Sequence, residues 1–185
     1  MKKDTTQKIA FITAIIFLAA LSRILPHPFN FSPIGAMCLV GGAYFSNRIF
    51  AVIVPLLAVF FSDLILNNFV YSSDSFVLLY DGFYWPYGTF ALIAIMGSFS
   101  LNKVTMPRVI GSSLGASVIF FLLTNFACWP GSTLYTQDFN GLMACYAAGI
   151  PFFGGTIAGD LLYSAILFGA VELAKPRLTF LKQTV

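Results

Sequence analysis

The chain has 185 residues, of which 58% are hydrophobic and 9% are charged, and its formal net charge is +3. A soluble domain carries about 25% charged residues and is too small at this length to hide so much apolar surface. The composition therefore excludes an ordinary soluble domain and predicts an integral membrane protein. The basic residues form no cluster, so nucleic-acid binding is not indicated.

The sequence contains no recognisable catalytic or metal-binding motif. Cys38, Cys128 and Cys145 lie within or beside apolar runs, without CxxC or Cys/His spacing. A P-loop, an HExxH motif and a dinucleotide-binding glycine motif are also missing. We therefore predict no cofactor and no metal, and we do not expect an enzyme.

Six apolar segments predict an all-α membrane protein with six transmembrane helices in one domain spanning residues 1–185. A membrane helix needs about 17 to 25 residues, so the second and fourth segments are short. Each could be a helix covered by its neighbours or a re-entrant piece. The segments cover residues 9–25, 33–46, 49–66, 87–101, 109–128 and 149–173.

The distribution of Lys and Arg favours six full crossings with both termini in the cytoplasm. In that topology Arg23 is the one cation outside the cytoplasmic side, and the long connections 26–32, 67–86 and 129–148 lie outside. Residues 141–149 predict a short interfacial helix, after which Pro151 starts the last crossing. The cytoplasmic cations are Lys2, Lys3, Lys8, Arg48, Lys103, Arg108, Lys175, Arg177 and Lys182.

Three charged residues fall within the outer halves of predicted spans: Arg23, Asp63 and Asp160. Ionisable groups are rare inside membranes, so each is a candidate functional residue. Two interpretations stay open. The three charges could neutralise one another and cross-link three helices, or they could contact a ligand directly.

The predicted outer loops are rich in aromatic residues and contain both tryptophans. An interfacial aromatic belt would explain this pattern, but its restriction to one side favours a pocket for a small aromatic ligand. His27 lies between two prolines that hold it in an extended segment, where it could be structural or contact a ligand. The candidate pocket or supporting residues are Arg23, His27, Asn30, Asp63, Trp85, Asn125, Trp129, Tyr135 and Asp160.

Several motifs together resemble a bacterial family of uncharacterised integral-membrane proteins provisionally labelled as transport proteins. The motifs include Arg23-Ile-Leu-Pro-His-Pro, Ser62-Asp-Leu, Thr124-Asn-Phe-Ala-Cys-Trp and Gly159-Asp-Leu. This resemblance spans nearly the whole chain. It implies a multi-pass protein of the bacterial cytoplasmic (inner) membrane.

More distantly, the chain is similar to the substrate-binding S components of energy-coupling factor (ECF) transporters. That similarity implies a six-helix bundle that captures a vitamin-like nutrient from outside and works with a membrane coupling subunit and ATPases. In S components a helix-one alanine motif contacts the coupling subunit, and Ala10 and Ala14 match it.

The favoured interpretation is therefore a membrane uptake protein that binds a small, aromatic, vitamin-like nutrient. The alternative is a membrane scaffold or assembly factor that binds a protein or lipid partner through its aromatic outer face. A third, weaker interpretation is a membrane enzyme that acts on a lipid and uses Asp63 or Asp160 as an acid or base.

Overall fold

The computed structural model describes residues 2–71 and 75–181. Six α-helices and no strands are found among these residues, which confirms the all-helical prediction. Lys182, one of the predicted cytoplasmic cations, lies outside the described residues. The helices are α1 (Lys2–Leu21), α2 (Ile34–Tyr44), α3 (Arg48–Ile65), α4 (Tyr84–Ser100), α5 (Met106–Cys128) and α6 (Phe139–Ala174). Shorter turns follow α1 (Ser22–Ile24) and α3 (Leu66–Val70), and another precedes the end of the described chain (Thr179–Leu181).

Four helical stretches are long and apolar enough to cross a membrane. They are Asp4–Ile24, Arg48–Val70, Met106–Cys128 and Phe139–Ala174. The remaining helices are shorter, with 11 residues in α2 and 17 in α4. At 1.5 Å per residue, α2 is only about 16 Å long, roughly half of a 30 Å hydrocarbon core.

Helix α2 lies at the centre of the bundle. It contacts each of the other five helices, and all of its residues except Ala43 are buried. A β-carbon at Gly42 would overlap the backbone carbonyl of Ala94, so α2 and α4 pack with their backbones close together. The second apolar segment is therefore a short helix that its neighbours cover.

The outer surface of the bundle is apolar along the middle of several helices. Large side chains on α1, α3, α5 and α6 are exposed there, and examples are Leu18, Ile53, Leu122 and Ile166. Soluble proteins rarely expose continuous apolar surface on this scale. The surface is consistent with a bundle surrounded by lipid.

The basic residues collect at one end of the bundle. The Tyr44 hydroxyl at the end of α2 donates a 2.7 Å hydrogen bond to Glu172 near the end of α6, and Lys175 pairs with Glu172 at 2.6 Å. The Arg48 guanidinium lies 4.7 Å from the centre of the Phe99 ring near the end of α4. We call this the basic end, and it contains Arg48, Lys103, Arg108, Lys175 and Arg177.

The last helix differs from the prediction. Residues 141–149 and the final crossing were predicted as separate pieces, with Pro151 starting the crossing, but α6 is one continuous helix of 36 residues with Pro151 inside it. Asp138 starts this helix by accepting a 2.8 Å hydrogen bond from the Gly141 amide. Packing against α5 holds the first half of α6 in place, because the Cys145 thiol donates a 3.3 Å hydrogen bond to the Asn125 carbonyl of α5.

Candidate ligand-binding cavity

A cavity of about 630 Å³ lies at the end of the bundle opposite the basic end. This volume is in the range of small-molecule binding sites. Each helix, or the turn that follows it, contributes to the wall, and so does the segment between α1 and α2. Representative wall residues are Arg23, His27, Asn30, Gly35, Asp63, Tyr80, Phe90, Phe120, Thr156 and Asp160.

Arg23 and Asp63 form an ion pair in the wall. Arg23 lies in the turn after α1, and its guanidinium is 2.8 Å from Oδ1 of Asp63 on α3. The same guanidinium also donates to the Ser62 hydroxyl. Only 14% of the Arg23 side chain and 12% of the Asp63 side chain are exposed, so this pair is largely shielded from solvent.

Tyr87 of α4 completes the environment of Asp63. Its hydroxyl donates a 2.8 Å hydrogen bond to Oδ2 of Asp63, so both carboxylate oxygens have partners. The cross-link therefore joins the end of α1 to α3 and α4. Asp160, which the sequence offered as a second partner for Arg23, takes no part in it.

Asp160 lies on α6, in another part of the same cavity wall. It is 4% exposed, and its Oδ2 accepts a 2.6 Å hydrogen bond from the Ser117 hydroxyl of α5. A β-carbon at Gly35 would overlap the Asp160 carboxylate. Glycine at this position therefore allows the first turn of α2 to lie against a charged group on α6.

The segment between α1 and α2 forms the rim. Residues 26–30 are exposed, and Nδ1 of His27 lies 3.0 Å from the Pro28 carbonyl oxygen. Asn30 has a φ of +58°, a conformation that asparagine tolerates better than most residues. The Phe31 amide closes this turn by donating to the Pro28 carbonyl at 3.1 Å.

Tyr80, in the connection between α3 and α4, is a further polar group of the wall. Burial raises the pKa of its hydroxyl to about 12, and the negative charge of Asp63 adds to the increase while Arg23 opposes it. The hydroxyl is therefore uncharged near neutral pH. It can donate or accept a hydrogen bond at the cavity.

The predicted site residues fall into two groups. Arg23, His27, Asn30, Asp63 and Asp160 all line the cavity. The other four do not line it, and they are Trp85, Asn125, Trp129 and Tyr135.

The residues outside the cavity have contacts of their own near its end of the bundle. The Trp85 ring packs against Phe126 with 5.8 Å between ring centres. Trp129 closes the loop before α6 by donating a 2.8 Å hydrogen bond to the Thr136 carbonyl, and the Tyr135 carbonyl accepts from Gln137 in that loop. Asn125 packs against Gly149, and therefore joins α5 to α6.

Several wall residues were not predicted from the sequence. Phe90 and Phe120 stack with ring planes 5° apart and centres 5.7 Å apart, but nothing distinguishes them among 21 phenylalanines. Thr156 lies one turn before Asp160 on α6, a spacing that could have indicated it. No group of metal-ligating residues occurs within the part of the chain that the structure describes.

The predicted partner-contact residues lie on the outer surface. Ala10 and Ala14 are both exposed, on a face of α1 that the described helices leave uncovered. Small residues on such a face permit close approach of another helix.

Residues 3–182 match a family described as "Family of unknown function (DUF6580)". The chain belongs to this family. Searches of curated proteins and of solved structures found no match to this DUF6580 chain. The family assignment covers nearly the whole chain but carries no activity, so an account of function depends on the cavity itself.

Proposed function

We propose that this protein is the substrate-binding subunit of a bacterial membrane uptake system. The observation that carries the proposal is the cavity of about 630 Å³, which combines an apolar wall with a few converging polar groups. Stacked Phe90 and Phe120 offer aromatic surface to a small, flat ligand. A vitamin-like nutrient is a small, flat ligand of this kind.

The position of the cavity supports uptake from outside. The basic residues collect at the opposite end of the bundle, and basic ends of membrane proteins face the cytoplasm. In this orientation the cavity lies in the outer half of the bacterial cytoplasmic membrane. All six helices cross the membrane in this proposal, and α2 does so covered by its neighbours.

The similarity to ECF S components supplies the proposed mode of action. The ligand would enter from outside, and a membrane coupling subunit with ATPases would drive its release inward. The chain contains no P-loop, so ATP hydrolysis would come from partner subunits. Ala10 and Ala14, exposed on α1, are the proposed contact with the coupling subunit.

A test of the proposal is to purify the protein in detergent and identify bound small molecules by native mass spectrometry. Wild-type protein is expected to retain one small aromatic molecule per chain. Thr156→Phe should lose it, because the new ring fills the cavity beside Asp160. Ile166→Phe is the matched control, since it adds the same ring to an exposed position of α6.

Three results would contradict the proposal. The first is repeated absence of any bound small molecule from wild-type protein, together with no thermal stabilisation by a panel of vitamins. The second is retention of a phospholipid or a protein in both phenylalanine variants, which would favour the scaffold alternative. The third is retention of the same small molecule by Thr156→Phe, which would place its binding site outside the cavity.

A further inference from the structure

The two carboxylates of the cavity wall differ in how their charge is balanced. Asp63 has the Arg23 guanidinium at 2.8 Å and the Tyr87 hydroxyl at 2.8 Å. Asp160 has a hydrogen bond from the neutral Ser117 hydroxyl, and no Lys, Arg or His side chain pairs with it among residues 4–71 and 75–181, whose side chains the structure describes. Of the two, Asp160 is the one that has no cationic partner among the described side chains.

A buried carboxylate without a cation is expensive, because burial removes the water that would stabilise its charge. Asp160 is 4% exposed, so water compensates little of that cost. The other cavity-lining groups that could carry positive charge are already engaged. Arg23 is bound to Asp63 and Ser62, and His27 lies on the exposed rim beside the Pro28 carbonyl.

The surroundings of Asp160 suit the charged end of an amphiphilic ligand. Thr156 lies one turn away on the same wall and offers a hydroxyl. Apolar residues of the wall include Ile93 and the stacked rings of Phe90 and Phe120. Aromatic faces also attract cations, so the apolar part of the wall does not oppose a positively charged group.

We infer that the ligand is an organic amine cation, whose protonated nitrogen pairs with Asp160 while its apolar or aromatic body lies against Phe90 and Phe120. The inference rests on the proposed function, since it names the chemical class of the molecule that the cavity binds. An ammonium group would supply both the missing charge and hydrogen bonds to the free lone pairs of the carboxylate. A neutral alcohol could donate a hydrogen bond but would not supply the charge, and a carboxylate anion would supply neither.

The test uses the full-length protein in detergent and three series of probes with matched bodies. Each series has an amine, an alcohol and a carboxylate: tryptamine, tryptophol and indole-3-acetate; phenethylamine, 2-phenylethanol and phenylacetate; and 1-adamantanamine, 1-adamantanol and 1-adamantanecarboxylate. Equilibrium dialysis at pH 7 measures binding, and mass spectrometry identifies any co-purified molecule, whose structure gives its charge at pH 7. Within a series that binds, the amine should bind at least tenfold more tightly than the alcohol and carboxylate.

The variant Asp160→Asn should reduce amine binding at least tenfold and leave alcohol binding unchanged. Glu172→Gln removes a carboxylate at the basic end and serves as the control, with wild-type binding expected. The comparison of amine, alcohol and carboxylate on wild-type protein needs no variant, so the inference remains testable if Asp160→Asn does not fold.

Three results would overturn the inference. One is equal or preferred binding of neutral or anionic probes. Another is a co-purified molecule without positive charge. In both cases, loss of that binding in Thr156→Phe would leave the proposed function intact. If no probe binds and no molecule co-purifies, both the inference and the proposed function fail.

Discussion

The Arg23–Asp63 pair gives the sharpest prediction for stability. Arg23→Met removes the guanidinium but keeps an apolar stem, and it leaves Asp63 with the Tyr87 hydroxyl. The two side chains are 14% and 12% exposed, so the pair is close to the buried case, in which loss of one partner costs about 3–5 kcal/mol. For a chain of this length, that corresponds to a decrease in Tm of about 10 °C.

The basic end provides a matched comparison. Lys175 and Glu172 are 2.6 Å apart, but their side chains are 31% and 40% exposed. Exposed pairs contribute about 0–1 kcal/mol, so Lys175→Met should lower the Tm by only a few degrees. The difference in Tm between Arg23→Met and Lys175→Met therefore measures the effect of burial, because both variants remove one positive charge.

The assay is thermal unfolding in detergent, followed by the fluorescence of Trp85 and Trp129. A double-mutant cycle with Asp63→Asn isolates the pair, because the double variant leaves neither charge uncompensated. We expect the double variant to be more stable than the sum of the single effects predicts, by about 2 kcal/mol. Additive single effects, or an Arg23→Met cost no larger than that of Lys175→Met, would refute the reasoning.

Three further predictions concern orientation, packing and helix capping. In spheroplasts, a membrane-impermeant maleimide should label exposed Cys128 at the cavity end but not buried Cys38 or Cys145. A cysteine introduced by Asn102→Cys at the basic end should be labelled only after the membrane is permeabilised. The opposite labelling pattern would reverse the proposed orientation. Gly35→Ala should lower stability by about 1–3 kcal/mol because its β-carbon overlaps the Asp160 carboxylate. Gly154→Ala places its β-carbon in open space and should be neutral or slightly stabilising. Equal Tm values for the two variants would contradict the packing. Hydrogen bonds from the Thr136 hydroxyl and the Gly141 amide hold the pKa of Asp138 below its usual value, so the cap is present at neutral pH and is lost as pH falls through that lowered pKa. Amide hydrogen exchange in the first turn of α6 should therefore be faster in Asp138→Ala at neutral pH, and no difference there would refute the cap.

The sequence predicted the features that follow from hydropathy and from the positions of charged residues along the chain. Arg23, Asp63 and Asp160 were recognisable because an ionisable residue inside an apolar run is rare, and all three line the cavity. The choice of partner for Arg23 was not predictable. It depends on how each helix is rotated about its axis, and the outward face of a membrane helix is as apolar as its packed face.

Because the sequence does not show how each helix is rotated, it also did not distinguish the residues that line the cavity from those that do not. Trp85 and Trp129 were selected because both tryptophans lie in predicted outer loops, but their contacts are with Phe126 and the loop before α6. Phe90 and Phe120 line the cavity instead, but phenylalanine occurs in every helix except α2, so residue type does not distinguish them. The continuous α6 was also missed, because Pro151 suggests a helix start and the packing of Cys145 and Gly149 on α5 cannot be read from local sequence.

The shortness of α2 and the presence of the cavity have a common physical explanation. If α2 crosses the membrane in about 16 Å, the irregular segment before it must lie at membrane depth, where unpaired backbone groups are costly. Pro26, Pro28 and Pro33 reduce that cost because proline has no amide hydrogen to satisfy. Irregular backbone at this depth is tolerated where it is buried in protein or lines a cavity.

Two glycines of α6 accommodate this segment. A β-carbon at Gly155 would overlap the Phe29 carbonyl oxygen, and one at Gly159 would lie 2.7 Å from the Ser32 amide nitrogen. The segment therefore lies directly against α6, beside Asp160. A full-length second helix would fill this space with its own side chains, so shortening α2 is what leaves room for a cavity that Arg23 and Asp160 can both reach.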